Sequence, residues 1–361
     1  MKIAHVITSL RIGGAEKLMV EILPRLRDMG CEVELVLFCG VQTSFKEQLS
    51  EQGIKITDLS SSGSVYNLKY IFKLRKYIRE FDIVHTHNTS PQYFAAIARF
   101  ITKGRAKLVT TEHSTHNRRR DIWGAKLIDR FIYRQYDSII AISAKAADNL
   151  VEFISTNRGV TTIENGVDIQ RYYSATALNR ELDLNIPSNV VLVTQVAGFR
   201  EPKDQDTVIR SLVHLPQNIH LAFVGDGVRR GVCESLAKQL GVSDRVHFLG
   251  LRSDVPTILK SSDIVVMSSH WEGLSLAAVE GMAAGKPMIA SDVQGLREVV
   301  NGAGVLFERS NDKALAEEIS HLISDKSYYD EVCAACQERA KQYDINTMVE
   351  RYFQEYQKLL K

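Results

Sequence analysis

Ser268-Ser269-His270-Trp271-Glu272-Gly273-Leu274-Ser275-Leu276-Ala277-Ala278-Val279-Glu280-Gly281-Met282-Ala283-Ala284-Gly285-Lys286-Pro287 is the stretch from which the fold is read. The apolar run 263–268 that leads into it has the length and composition of a buried strand. A glycine-containing turn follows, then a helical pattern from near Leu274 to Ala284. Gly285 and Pro287 close that pattern, as glycine past a helix end and proline soon after usually do. The first turn of such a helix has backbone N–H groups with no intrahelical partner, and its dipole favours an anion. Gly273 lets a ligand approach the backbone. Gly273, Leu274 and Ser275 therefore read as a seat for a diphosphate. Glu280 lies about two turns into the helix, where one carboxylate can accept both hydroxyls of a ribose. Glu272, at the turn, can accept hydroxyls of a sugar attached to that diphosphate. Either residue alone would be an ordinary surface or helix-start charge.

The same strand–turn–helix unit recurs on both sides. Strand-like runs at 3–8, 32–38, 54–59, 82–87, 107–112, 137–142 and 160–164 are separated by helical patterns, the first at 15–29. The turn signal Asn165-Gly166 and an irregular polar stretch to about residue 188 interrupt the series. A second series has strands at 190–196, 220–224, 245–249, 263–268, 287–291 and 304–307. Its helices fall at 204–214, 229–240, 255–260 and 274–284, with closing helical segments at 311–324, 328–342 and 346–360. Alternating β and α implies parallel sheets covered on both faces. A chain of 361 residues also exceeds the ~250–300 at which a single core stops growing. The expected architecture is α/β, with one domain over 1–175, a second over 176–343, and a last helix, 344–361, packing back on the first. Ligands bind beyond the carboxyl ends of parallel strands, so two such domains facing a central cleft would divide donor from acceptor.

Hydrophobic residues make up 45% and charged residues 24%, an ordinary soluble composition. The formal net charge of +2 argues against a nucleic-acid partner. No apolar run reaches the ~20 residues of a spanning helix. Met1–Ile7 reads as a first strand and not as a signal peptide, so the expected location is the cytoplasm. Five cysteines, mostly inside predicted elements, fit a reducing compartment. Cys333 and Cys336 form a lone CxxC on a helical pattern and are read as packing.

A second constellation is Ala197-Gly198-Phe199-Arg200-Glu201-Pro202-Lys203-Asp204-Gln205-Asp206. Arg200 and Lys203 can neutralise a diphosphate and stabilise a departing nucleotide. Asp204 and Asp206 spell D-x-D, but at a helix start they read as capping carboxylates. With the cations and the helix terminus doing a metal's electrostatic work, no metal and no cofactor is expected. Gly225-Asp226-Gly227 follows an apolar strand, yet the next glycine is Gly231 and no ribose-binding acid stands at the dinucleotide offset, which argues against a nicotinamide site. In the first half, Gly13 and Gly14 allow a tight turn and close approach to a ligand. His113 ends a strand, as do His85 and His87.

Glu272 and Glu280, with seven residues between them, resemble the E-x7-E motif of retaining glycosyltransferases of the GT-B fold. The ordered set Val224-Gly225-Asp226-Gly227, Val246-His247-Phe248-Leu249-Gly250, Ser262-Asp263-Ile264-Val265-Val266 and Ala290-Ser291-Asp292-Val293-Gln294-Gly295-Leu296-Arg297-Glu298 extends the likeness to nearly the whole chain. It is most similar to glycosyltransferase family 4. The resemblance implies two Rossmann-like, doubly wound domains. It also implies transfer of a hexosyl or N-acetylhexosaminyl group, with its configuration kept, from a nucleotide diphosphate sugar such as a UDP-sugar. The acceptor would be a glycan or a lipid-diphosphate-linked sugar in bacterial polysaccharide biosynthesis.

By the same resemblance His113 approaches the donor sugar, and Arg200, Lys203 and Glu272 act at the reacting centre. Gly225 and Gly227 floor the donor lobe, Leu251 contacts the nucleotide, and Gly13 and Gly14 contact diphosphate and acceptor. From their place at a strand end, and not from the resemblance, one of His85 and His87 is a candidate acceptor contact. The family's arginine commonly stands five residues before the lysine, where this chain has Gly198; Arg200 is the nearest substitute. Alternative readings are a phosphorylase or nucleotide-sugar epimerase of like architecture, or an inactive nucleotide-sugar binding module.

From Ser64 to Arg134 there are 15 Lys and Arg against five Asp and Glu. Lys69, Lys73, Arg75, Lys76 and Arg79 alternate with aromatic and aliphatic residues, and Arg118, Arg119, Arg120, Trp123, Lys126, Arg130 and Arg134 follow. A basic amphipathic helix can lie on an anionic membrane; it can equally be a solvated face over a core. Segments 69–79 and 118–134 are the expected places for peripheral contact with the inner face of a cell membrane.

Overall fold

The computed structural model describes residues 1–11, 13–61, 63–113 and 125–361. They form two compact units, Met1–Asn165 with Ile345–Lys361, and Gly166–Asp344. The first contains β1 (Lys2–Ile7), β2 (Glu32–Leu37), β3 (Lys55–Asp58), β4 (Ile83–His87), β5 (Lys107–Glu112), β6 (Ser138–Ala141) and β7 (Val160–Thr162). They make one parallel sheet in the order β3-β2-β1-β4-β5-β6-β7. Side chains alternate between faces with the period of a strand. Ile3 and Ile7 join one core, with the helix Gly14–Asp28 and the C-terminal helix Ile345–Leu360, while Ala4 and Val6 join the other, with helices Lys69–Glu80 and Thr89–Ile101.

The second unit repeats the plan with β8 (Val191–Val196), β9 (Ile219–Val224), β10 (Val246–Gly250), β11 (Ile264–Met267), β12 (Met288–Ser291) and β13 (Val305–Phe307). Their parallel order is β10-β9-β8-β11-β12-β13. In each unit the strand order reverses at one place, between β1 and β4 and between β8 and β11. Loops leaving the carboxyl ends of those strands diverge there and leave room for a ligand. β9 is buried along its whole length, as a strand covered on both faces requires. Helix Leu276–Ala283 sits so close to the sheet that a Cβ on Gly281 would meet Val265 Cγ1 at 2.8 Å and Met288 Cε at 2.7 Å.

Every strand expected from the sequence is present, while several boundaries differ. The segment before residue 175 belongs to the second unit from Gly166 onward. Tyr172 of the helix Ile169–Tyr173 is buried in that unit's core, Lys260 Nζ donates to the Tyr173 carbonyl at 2.9 Å, and the Val167 amide donates to the Tyr343 carbonyl at 2.8 Å. The expected helix 204–214 is an α-helix, Gln205–Ser211, followed by a 3-10 turn, Leu212–His214. The helix expected from Leu274 starts at Leu276. Cys333 and Cys336 lie on the helix Lys326–Ala340 as free thiols, and Cys336 donates to the Ala303 carbonyl at 3.6 Å. Among the described residues no helix is long and apolar enough to cross a membrane.

The C-terminal helix completes the first unit's core through Tyr352 and Tyr356, both 0% exposed. Tyr352→Ala removes a fully buried aromatic ring and is expected to lower the stability of the first unit by about 3–5 kcal/mol in chemical denaturation. A loss below about 1 kcal/mol would mean that this helix is not part of the core.

Candidate functional site

In the second unit the loops after β8, β9 and β10 are stitched together through their backbones. Phe199 N–H donates to the Asp226 carbonyl at 3.0 Å, Arg229 N–H to the Phe199 carbonyl at 3.1 Å, and Gly225 N–H to the Gly250 carbonyl at 2.8 Å. Gly225 has φ +142°, and a Cβ there would lie 2.2 Å from the Ala197 carbonyl oxygen; one on Gly227 would lie 2.4 Å from that of Phe199. These two glycines are thus demanded by backbone crossing backbone. Phe199 is fully buried beneath them, with its ring centroid 5.8 Å from those of Phe223 and Phe248. Leu251 follows Gly250 and is 65% exposed.

Across the point where the strand order reverses, the end of β11 is tied to the loop after β8. Ser268 Oγ donates to the carbonyls of Lys203 and Asp204 at 3.0 and 2.8 Å, and Gln195 Nε2 donates to that of Lys203 at 3.0 Å. His270 N–H donates to the Pro202 carbonyl at 2.8 Å. This scaffold brings two of the expected residues together. Lys203 Nζ pairs with Glu272 Oε1 at 2.5 Å, and Ser269 Oγ donates to the same oxygen at 2.7 Å. The lysine expected on a diphosphate and the glutamate expected on a sugar therefore satisfy one another. Arg200 stands at the start of the 3-10 turn Glu201–Lys203 and is exposed; among the described residues no carboxylate pairs with it. Gly198 has room for a side chain, since the nearest atom to an added Cβ is the Asp226 carbonyl oxygen at 3.5 Å.

Asp204 caps the helix Gln205–Ser211, accepting from Thr207 N–H at 3.4 Å and Thr207 Oγ1 at 2.7 Å. Asp206 departs from the capping expectation. Although it lies in the first turn of the helix, it pairs with Arg229 at 2.7 Å and accepts from Cys233 Sγ at 3.6 Å, both at the start of the next helix, Arg230–Gln239. The D-x-D pair is therefore divided between two structural tasks.

Gly273 and Leu274 are half-exposed in the turn before the helix, and Ser275 is its N-cap without a capping side-chain hydrogen bond. The expected anion seat is thus a turn plus the first helical N–H groups, shifted two residues toward the C-terminus. Glu280 is 6% exposed on the inner part of that helix. Gly295 stands in the 290–298 stretch that carries the family resemblance, but its own task was not evident from the sequence. Its φ of +87° puts a would-be Cβ 2.3 Å from the Glu272 carbonyl oxygen and 2.7 Å from that of Gly273, while Glu272 N–H donates to the Gln294 carbonyl at 3.2 Å. Gln195 was given no role, and Ser268 was read only as the end of a strand. The only trace in the sequence is a polar residue at the end of each apolar strand run.

In the first unit, Gly13 is the extended N-cap of the helix Gly14–Asp28, and Gly14 is exposed with nothing within 4 Å of an added Cβ. His113 is half-buried at the carboxyl end of β5. Its Nε2 lies 3.0 Å from His87 Nδ1, and His87 Nε2 lies 3.0 Å from His5 Nδ1. His85 is bonded to Tyr356 Oη at 2.6 Å and to Thr111 Oγ1 at 2.8 Å. His85 and His87 are both 0% exposed, so neither touches acceptor as expected; each is held inside the core. Burial lowers His5 to about 3 and His113 to about 4, and holds His85 and His87 well below the usual imidazole range. All four rings are therefore uncharged near neutral pH.

The basic helix Lys69–Glu80 turns Tyr70, Ile71, Leu74, Tyr77 and Ile78 into the core and leaves Phe72 exposed. Lys73 Nζ donates to the Leu59 carbonyl at 2.6 Å and Arg75 to Thr102 Oγ1 at 2.9 Å. Arg118, Arg119, Arg120 and Trp123 lie outside the described residues. The helix Ala125–Tyr133 exposes Leu127, Ile128 and Phe131, the last in edge contact with exposed Phe100 at a centroid separation of 5.3 Å.

Gly295→Ala is expected to cost about 1–3 kcal/mol through the positive φ and the overlap with the Glu272 carbonyl. It should also displace the 272–275 turn. A urea titration checks this, and stability within 0.5 kcal/mol of the parent would show that the turn does not depend on this contact.

Residues 12–171 match the Glycosyltransferase Family 4 model and residues 180–343 the Glycosyl transferases group 1 model. The Escherichia coli O-antigen biosynthesis glycosyltransferase WclY is 23% identical over 89% of this chain and 88% of that protein. A Campylobacter jejuni N,N'-diacetylbacillosaminyl-diphospho-undecaprenol alpha-1,3-N-acetylgalactosaminyltransferase is 30% identical over 50% of this chain and 47% of that protein. Among solved structures, Anabaena Alr3699/HepE in complex with UDP has the same fold, with a TM-score of 0.83, 24% identity, and coverage of 98% of this chain and 99% of that one. With a family 4 domain followed by a group 1 domain, the chain belongs to the GT-B glycosyltransferases of bacterial surface-polysaccharide type.

Proposed function

We propose that the protein transfers a hexosyl or N-acetylhexosaminyl group from a UDP-sugar to a glycan or lipid-diphosphate-linked acceptor, keeping the anomeric configuration. The observation that carries this reading is the 269–275 turn. It is clamped by Ser268, Pro202 and Gly295, and it enters a helix whose N-cap side chain makes no hydrogen bond to the helix. Backbone N–H groups there donate to the diphosphate. Lys203 exchanges its bond to Glu272 for one to a phosphate oxygen, and Glu272, so released, accepts hydroxyls of the sugar. Glu280 takes the ribose hydroxyls, and exposed Leu251 lies beside the nucleotide. Arg200 supplies the second cation in place of the arginine that Gly198 displaces. In the first unit, His113 is assigned to the sugar and Gly13-Gly14 to diphosphate and acceptor.

Support comes from HepE, solved with UDP, and from the Campylobacter relative, whose name describes transfer onto a diphospho-undecaprenol-linked sugar. In the proposed step the bond from C1 to the phosphate oxygen breaks and the acceptor oxygen bonds to C1 on the same face. The acceptor's proton passes to the departing phosphate. The developing negative charge is met by Lys203, Arg200 and the helix terminus, so no metal is required.

Calorimetric titration with UDP tests the assignment. Glu280→Ala is expected to weaken binding about tenfold or more, since it removes hydrogen bonds to a charged group. Arg200→Ala should weaken it less, about three- to tenfold, because that side chain is exposed. Undiminished UDP affinity in Glu280→Ala would sink the ribose assignment.

Contact with an anionic membrane is proposed for the helix Ala125–Tyr133 together with Phe100. There exposed apolar rings are flanked by Lys126, Arg130 and Arg134, and apolar insertion adds to charge attraction. Helix Lys69–Glu80 adds further positive charge and the exposed Phe72. Vesicles rich in phosphatidylglycerol should co-float the protein and those of phosphatidylcholine should not, with Leu127→Ser plus Phe131→Ser losing most of the bound fraction. Equal recovery on both lipids, or no effect of the double variant, would remove this role.

A further inference from the structure

His5, His87 and His113 form a chain of two imidazole–imidazole hydrogen bonds, each 3.0 Å long, that runs from the buried interior to the half-exposed end of β5. Their rings lie side by side, with centroids 5.3 Å apart in both pairs and only 10° between the His5 and His87 planes. A neutral imidazole has one donor and one acceptor nitrogen, so such a chain has only two states, with every proton pointing outward or every proton pointing inward. The inner end decides between them. His5 Nε2 is buried and makes no hydrogen bond to any described residue. If it carried the proton, an N–H group would be orphaned in the core; if it carries a lone pair, only an acceptor goes unused. Orphaned buried N–H groups are the rarer and costlier of the two.

We infer that His5 and His87 act as positioning residues that fix His113 in its Nδ1–H form, so that it offers a neutral hydrogen-bond donor to a hydroxyl of the sugar being transferred. His5 carries its proton on Nδ1 and donates to His87 Nε2. His87 then carries its own on Nδ1 and donates to His113 Nε2. The remaining proton of His113 sits on Nδ1, the nitrogen that no described residue engages. Burial lowers His113 to about 4, so the group works as a donor and not as a cation near pH 7. His85 stands outside the chain. Both its nitrogens are taken by Tyr356 and Thr111, and its ring stacks on His87 at a centroid distance of 4.4 Å.

A metal ion is the competing use of His5, His85 and His87, since one nitrogen from each lies within 4.8 Å of the others. The geometry opposes it. The facing nitrogens of His5 and His87 point at one another and not toward a shared third point, and His85 would first have to break one of its two bonds. Tetrahedral zinc needs lone pairs converging on one centre at about 2.0–2.1 Å.

The sugar contact rests on the transferase reading above; the tautomer does not. The test is a long-range 1H–15N correlation spectrum of the full chain with 15N-labelled imidazoles, His113 being assigned by His113→Gln. In the unliganded protein at pH 7.5, His113 is expected to show the Nδ1–H pattern. His5→Phe should convert it to an averaged pattern and slow transfer about tenfold. His5→Asn, which keeps a side-chain N–H near the Nδ1 position, should rescue both. UDP-glucose should shift His113 Nδ1, whereas UDP alone should not. An Nε2–H pattern in the parent protein, or no change in His5→Phe, overturns the inference, and so does stoichiometric zinc found by elemental analysis. An Nδ1–H pattern that UDP-glucose leaves unmoved overturns the sugar contact. Failure of UDP to bind at all would instead tell against the transferase assignment.

Discussion

The second unit depends on the Ser268 hydroxyl and its bonds to the carbonyls of Lys203 and Asp204. Parallel strands that wind in opposite directions from a central pair leave their exit loops free to splay. Without a cross-tie the loops after β8 and β11 would share only the hydrogen bonds of the strands beneath them. Ser268 and Gln195 supply that tie from below, and the His270 N–H and Pro202 carbonyl supply it from above. Lys203 and Glu272 are consequently held face to face before any substrate arrives. Their charges are half-buried, where pairing offsets part of the cost of leaving water.

Preorganisation of this kind has a chemical meaning for transfer of a charged leaving group. A lysine that already has an anionic partner costs little to hold in place, and it can change partners as a phosphate enters. In the proposed transfer, the glutamate it releases becomes an acceptor for neutral hydroxyls. Electrostatic stabilisation in enzymes works best when the dipoles and charges need little rearrangement at the moment of reaction.

The fold was largely legible because its signals are local. Short apolar runs bounded by turn residues marked the strands, and Gly285 followed by Pro287 marked the end of the helix that holds Glu280. The limit between the units was misplaced because Tyr172 looks like any aromatic in a polar stretch until its pocket is known. In the candidate site, Lys203 and Glu272, which lie together, and the 273–275 turn were singled out by residue type and spacing. Gly295, Gln195 and Ser268 were not, since their tasks come from neighbours tens of residues away. The histidines illustrate the same limit. Residue type placed His85 and His87 at strand ends, but only the parallel register of β1 beside β4 shows that they lie next to His5 inside the core.

The chain leaves the first unit at Asn165 and returns to it at Ile345, and those two passages lie beside one another, joined by the Val167–Asp344 bridge. The second unit is thus an insertion whose ends meet. On the ribosome, where residues emerge from the N-terminus first, the inserted unit can close while its host still lacks Tyr352 and Tyr356. The half made first is therefore the half finished last, and any nascent chain that stalls before residue 345 carries an open hydrophobic slot that a chaperone would have to cover.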